Sequence, residues 1–104
     1  MKPISKRAAE VIFNDDYNDA VKAVQEYLNP EWLNCNDVRQ DVLIDMTFNM
    51  GIFGVLKFRK MREAIRQENW QKAHDEILNS KYARIDDPKR AKRNAMRMLT
   101  GERN

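Results

Sequence analysis

The carboxylates of this chain set the first chemical test. Two carboxyl groups flanking a glycosidic bond can serve as acid and nucleophile, or as acid and base, when they stand about 5 to 9.5 Å apart. Glu10 and Asp19 lie nine residues apart in an alanine-containing amphipathic stretch that has no glycine. Along a helix that spacing is about 13.5 Å, too far for such chemistry, so this pair is read as a chance spacing. The single cysteine, Cys35, excludes an internal disulfide and lacks partners for a metal site, which leaves a structural or loop thiol. One histidine, His74, beside Lys72 and Asp75, is too few for a nucleophilic triad or a histidine-rich zinc site and reads as solvent-facing. No metal and no cofactor are expected. The remaining candidate is an amide: Asn49 interrupts the apolar run Phe48-Asn49-Met50-Gly51, where it either caps a helix end or faces a ligand. Phe48 and Met50 beside it read as core residues, as apolar side chains at helical spacing usually are.

Helices must position these residues. The chain has 104 residues, three glycines and three prolines, so long helices with short connections and one compact domain over 1-104 are expected. Ser5 can cap a first helix whose apolar positions Ile4, Ala8, Val11, Ile12, Ala20, Val21, Val24 and Leu28 recur mostly three or four apart. Asp15-Asp16 is either a break or a polar turn of that helix, and Asn29-Pro30 stops it. A short connection follows through Glu31, Trp32 and Leu33. Asn36 or Asp37 then caps a helix carrying Val38, Val42, Leu43, Ile44, Met46 and Phe48, apolar enough on several sides to be the buried centre, with Gly51 at its end. Two short helices are expected near 53 to 57 and 59 to 67. A further helix is opened by Asn69 and anchored in the core by Trp70, and a last one begins at Asp87-Pro88 and ends at Gly101. The fold class is therefore all-α, a bundle of about five to seven helices. No stretch suggests a membrane span or signal peptide, so synthesis in the cytoplasm is expected.

The run Asp45-Met46-Thr47-Phe48-Asn49-Met50-Gly51, followed by Ile52-Phe53-Gly54-Val55, resembles the helix-to-turn corner of the T-even phage lysozymes, glycoside hydrolase family 24. Upstream, Val11-Ile12-Phe13-Asn14-Asp15-Asp16 and Asp19-Ala20-Val21 look like that family's helix joining two lobes. Downstream, Asn69-Trp70, Ser80-Lys81-Tyr82 and Pro88-Lys89-Arg90-Ala91-Lys92-Arg93 look like later landmarks of its C-terminal helical lobe, in the same order. The resemblance implies a peptidoglycan muramidase lobe made in a phage-infected host. Phe48, Asn49, Met50 and Gly51 would line the glycan cleft, Tyr82 would support that corner, and Arg90 would stand where the family has an arginine reaching the catalytic Glu. The family's catalytic Glu, then eight residues, Asp or Cys, then five residues and Thr has only a partial echo, since Gln25 stands at the third position after Glu10 and Asp19. The catalytic lobe has no counterpart in these residues, so the chain is expected to be inactive alone, and reaching the cell wall would need another factor.

Two departures alter the expected cleft: Met61 stands where the family has a small hydroxyl residue, and Glu76 where it has an Asn. Charge supplies a competing reading. From Lys81 to Asn104 eight basic residues face three acidic ones, a balance of +5, whereas the whole chain carries +3 and so the remainder −2. A basic helix suits an anionic cell wall or nucleic acid, but no helix-turn-helix glycine spacing or aromatic stacking platform accompanies it. Nucleic acid accordingly ranks last among the partners. The expected partners are peptidoglycan or a separate catalytic lobe, with self-association through the exposed corner. The alternative to an enzyme lobe is a non-enzymatic binding module for a protein or the cell wall.

Overall fold

A computed structural model describes the backbone of residues 6–103 and the side chains of residues 17–103. Among these residues the chain is all helical. Its elements are α1 (Lys6–Tyr27), α2 (Asn29–Asn34), α3 (Asp37–Met50), α4 (Ile52–Leu56), α5 (Arg59–Arg66), α6 (Trp70–Leu78), a π-helical turn (Tyr82–Asp86) and α7 (Pro88–Thr100). Ser5, the expected first cap, lies outside the described residues, as do the side chains of Ala8, Glu10, Val11 and Ile12.

Local chemistry starts and stops most of these helices. The side-chain oxygens of Asn36, Asn69 and Asp87 accept the N–H groups of Arg39, Lys72 and Arg90 at 3.0, 3.2 and 3.3 Å, satisfying donors that the first turn leaves free. At the other ends, Gly51 adopts φ 80° and Gly101 the left-handed φ 72°, both costly for a residue with a β-carbon. α1 continues through Asp15-Asp16 without a break. The connection expected at Glu31, Trp32 and Leu33 is instead α2. Asn29-Pro30 ends one helix and opens the next, because a proline in the first turn has no N–H to leave unsatisfied. The Leu28 carbonyl accepts the Trp32 N–H at 2.7 Å across this junction.

The core gathers around α3. Leu43 and Met46 are completely buried there, with Val24 from α1, Leu28 at the α1–α2 junction, Met61 and Ile65 from α5, Ile77 from α6, and Ala91, Ala95 and Met98 from α7. Phe48, in the last turn of α3, escapes the core and is 42 % exposed. Cys35 is buried between α2 and α3, and burial pushes its thiol up to about 12.

Two expectations need correction. Trp70 packs against the core but is only half-buried, and its outer face serves as a platform: the Arg39 guanidinium carbon lies 3.9 Å from its ring centroid. The same Arg39 donates from Nε to the Met98 carbonyl at 2.7 Å and from Nη2 to the Leu99 carbonyl at 3.0 Å. One cation thus closes the C-terminus of α7 while joining α3 to α6. His74 is not solvent-facing, since its side chain is only 16 % exposed; its Nδ1 lies 2.8 Å from Asp75 Oδ1.

A buried carboxylate ties α2 to α5. Glu31, fully buried, accepts from Arg66 Nη1 at 2.6 Å, and the Arg62 Nε lies 3.4 Å from the same oxygen. Asn34 reinforces the contact by donating to the carbonyl of Arg66 at 3.0 Å.

Candidate functional site

The end of α3, the π turn and the start of α7 meet at one corner, and Asp45 is its hub. One Asp45 oxygen, Oδ2, accepts from Asn94 Nδ2 at 2.8 Å and from Asn49 Nδ2 at 3.4 Å, with Arg90 Nε 3.8 Å and Arg93 Nη2 3.9 Å away. Arg90 also donates from Nη1 to the Asn49 oxygen and stands 3.8 Å from Asp87. The buried Asn94 amide donates to the Tyr82 hydroxyl at 2.9 Å. Burial raises the Tyr82 phenol above its ordinary value, with the Asn94 hydrogen bond opposing part of that shift. The phenol is therefore a neutral, oriented hydrogen-bonding group at neutral pH.

Each element has a local reason to deliver its side chain here. Asp45 and Asn49 are four apart on α3 and so share a face. Arg90 follows Asp87 by one turn, and Asn94 follows Arg90 by another. The π turn carries the Tyr82 ring inward and closes with the Asp87 N–H on the Tyr82 carbonyl at 2.9 Å. This i to i+5 bond delivers Asp87 to its capping position.

Of the six residues singled out from the sequence, Asn49, Tyr82 and Arg90 belong to this one network. Met50, half-buried, joins Asn49, Tyr82, Asp86 and Asp87 around a surface cavity of about 360 Å³. Phe48 and Gly51 do not face that cavity; they line a separate depression of about 300 Å³ against α1, near Asp19 and Ala23. Asn49 does not cap α3, whose closing bond runs from the Gly51 N–H to the Thr47 carbonyl. Sequence reasoning missed Asp45 and Asn94. Asp45 had a signal in its four-residue spacing from Asn49, and Asn94 in being an amide between Ala91 and Ala95 on the apolar stripe of α7.

On another face, Met61 is fully buried beneath a cavity of about 410 Å³ whose rim includes Glu76, Ser80 and the basic run Lys57 to Lys60. The two departures from the expected cleft therefore meet at one place, an apolar floor beside a charged wall. The carboxylate test is sharpened as well: Glu10 and Asp19 lie on the single helix α1, so their backbone positions are about 13.5 Å apart along its axis.

These features define an all-α bundle with a hydrogen-bonded polar corner at the end of its central helix. The phage lysozyme family model matches residues 1–97, and the chain belongs to that family. It is 30% identical over 92 residues to one probable T4-type lysozyme of Dictyostelium discoideum and 28% identical over 81 residues to another, covering 86% and 76% of this chain. It is also 32% identical over 100 residues to the pre-baseplate central spike protein Gp5 of Enterobacteria phage T4, covering 94% of this chain but 17% of that protein. The chain spans about half the length of the two Dictyostelium relatives, 54% and 48%. No helix among the described residues is long and apolar enough to cross a membrane.

Proposed function

We propose that these residues form the C-terminal, substrate-cleft lobe of a peptidoglycan muramidase and that the catalytic acid and nucleophile are supplied from outside them. The observation that carries this reading is the corner itself. Asn49 and Tyr82 are neutral hydrogen-bonding groups beside a surface cavity, held in place by Asp45, Arg90 and the buried Asn94 behind them. An oriented amide and hydroxyl beside the Met50 side chain suit hydroxyl-rich and acetamido-bearing sugars, and the Asp86 and Asp87 carboxylates on the same cavity can accept from sugar hydroxyls. Arg90 is already engaged with Asn49, Asp45 and Asp87, so on this reading its role is to hold the corner.

The test is chemical-shift mapping with soluble muropeptides on the purified chain. Shifts centred on Asn49, Met50 and Tyr82 are expected, together with no clearing of a peptidoglycan suspension between about pH 4 and 8, the range of a working carboxylate pair. Clearing that is lost on Glu10→Gln would overturn the catalytic half of the reading, and an unperturbed corner would overturn the binding half.

A second reading, a binding module without catalysis, draws on the match to 17% of a baseplate spike protein, in which a sequence like this one is part of a longer chain. A neighbouring reading frame with the Glu-eight-Asp-five-Thr pattern supports the enzyme lobe, and its absence supports the module.

A further inference from the structure

The outer face of α1 and α4 carries an aromatic knob. α4 buries Val55 and half-buries Ile52 and Leu56 against the core. Phe53 lies about 200° around the helix from Val55 and is left 71 % exposed. Its ring meets that of Tyr27, itself 48 % exposed, with centroids 6.4 Å apart and planes tilted by 54°. Single exposed apolar residues are ordinary on a protein surface, whereas adjoining ones mark a contact.

A matching hollow lies beside the knob. The depression of about 300 Å³ has Ala20, Ala23 and Ile52 among its apolar lining and the exposed Asp19 on its α1 side, and it shares no lining residue with the cavity of the polar corner. Knob, hollow and two charges fall in a line. α1 and α4 run in the same sense past each other, since Asp19 and Ala23 meet Ile52 at the hollow and Tyr27 meets Phe53 beyond it. Asp19 comes eight residues before Tyr27 on α1, about 12 Å along its axis, and Lys57 comes four residues after Phe53 at the cap of α4, about 6 Å along. The order along this face is therefore Asp19, hollow, aromatic knob, Lys57. Asp19 and Lys57 make no ion pair among the described residues, so both charges are available.

That order selects the occupant. A two-fold axis standing between hollow and knob reverses the line on the facing molecule, as an isologous contact requires. Phe53 of each protomer then enters the hollow of the other, and Lys57 of each arrives beside Asp19 of the other. Shape and charge are satisfied by the same operation, and a second copy of the chain carries the complementary sequence already. We propose that this face of α1 and α4 joins two copies of the chain in a symmetric dimer, with Phe53 as its anchor and two Lys57–Asp19 pairs at its rim fixing the register. The proposal does not depend on the muramidase reading, which uses the other cavity.

Sedimentation equilibrium of the whole chain between about 1 µM and 1 mM, the range in which a modest apolar interface dissociates, should show monomer and dimer in exchange. Phe53→Ala should weaken dimerisation by about tenfold or more, with the helical circular dichroism spectrum unchanged because the side chain is exposed. Lys57→Asp alone and Asp19→Lys alone should each weaken it at low salt, and the two changes in one chain should restore it. Such rescue reports direct pairing, because a structural effect of either change on the monomer would not be undone by the other. In a mixture of isotope-labelled and unlabelled chains, NOEs should cross between protomers from the Phe53 ring to the Ala23 methyl group. A chain that stays monomeric throughout, a dimer indifferent to Phe53→Ala, or a charge exchange that fails to restore association would overturn the proposal. So would intermolecular NOEs confined to Asn49 and Tyr82, or muropeptide shifts centred on Phe53 and Ala23, which would give this face to a glycan. Muropeptide binding at Asn49 and Tyr82 reports on the lobe reading separately, so one can fail while the other stands.

Discussion

Replacing Arg66 with methionine isolates the buried ion pair that joins α2 to α5. The change keeps most of the aliphatic stem and removes the 2.6 Å bond to Glu31. Glu31 is completely buried, its second oxygen already has no hydrogen-bond partner, and the substitution leaves it only the Arg62 Nε at 3.4 Å. Removing one partner of a fully buried pair costs about 3 to 5 kcal/mol. The residual Arg62 contact and the partial exposure of Arg66, 41 %, both reduce that here, so the expected loss is about 1 to 3 kcal/mol. The reverse change is milder. The side chains of Arg62 and Arg66 are 24 % and 41 % exposed and remain hydrated without the carboxylate, and Glu31→Gln retains an acceptor for Arg66, so about 1 to 2 kcal/mol is expected from trading a charged hydrogen bond for a neutral one. Urea unfolding followed at 222 nm measures both, and an unchanged m-value shows that the effect lies in the native state. The double variant Glu31→Leu with Arg66→Met should recover most of the loss, since an apolar replacement no longer needs partners. The reasoning is refuted if Arg66→Met costs less than about 0.5 kcal/mol, the range of a surface pair, or if Glu31→Gln proves the more damaging change.

Other outcomes follow from the same geometry. The Cys35 thiol should resist alkylation in the native chain at pH 8 and react promptly in denaturant, because burial keeps it protonated. Its folded pKa is raised from 9.0 to about 12, so the unfolded chain holds fewer protons above pH 9. The native state should therefore lose up to about 1.4 kcal/mol per pH unit between pH 9 and 12, a slope missing from Cys35→Ala. Trp70→Ala should cost about 1 to 3 kcal/mol, less than a full core deletion, since it removes a half-buried ring and a cation–π contact; little additional loss should appear in a combined Trp70→Ala, Arg39→Gln variant if the two act as a unit. Gly101→Ala should destabilise more than Gly51→Ala in thermal melts. Both positions carry positive φ, but a β-carbon on Gly101 would also lie 2.8 Å from Asn36 Nδ2, whereas one on Gly51 meets nothing within 4 Å. Asn94→Ala should cost about 1 to 3 kcal/mol by leaving the Tyr82 hydroxyl and an Asp45 oxygen short of a donor, and should blur the Asn49 and Arg90 side-chain signals in NMR spectra.

The sequence by itself determined the helical class, the caps at Asn69 and Asp87 and the stops at Gly51 and Gly101; it left Asn36 or Asp37 as the cap of α3, and the structure selects Asn36. Those features act within one turn of chain, through a side chain that reaches an N–H three residues on or a backbone angle that only glycine adopts easily. It also pointed to Asn49, as an amide interrupting an apolar run, and to Tyr82 and Arg90 through likeness to a family and not through any contact legible in one dimension. Tertiary structure alone decided the rest. Asn29-Pro30 serves equally as the end of one helix and the start of another, and packing of Leu28 and Glu31 against the core selects α2. Phe48 and Trp70 are apolar at helical spacing, yet one faces solvent at 42 % exposure and the other lies beneath Arg39. Glu31 has the composition of a surface residue, but it is fully buried because Arg62 and Arg66 arrive beside it from 31 and 35 residues away. Asp45 becomes a hub because Asn94 approaches from 49 residues away. Whether a polar side chain is buried or paired depends on which helix faces it across the core, and helical periodicity fixes a face without fixing its neighbour.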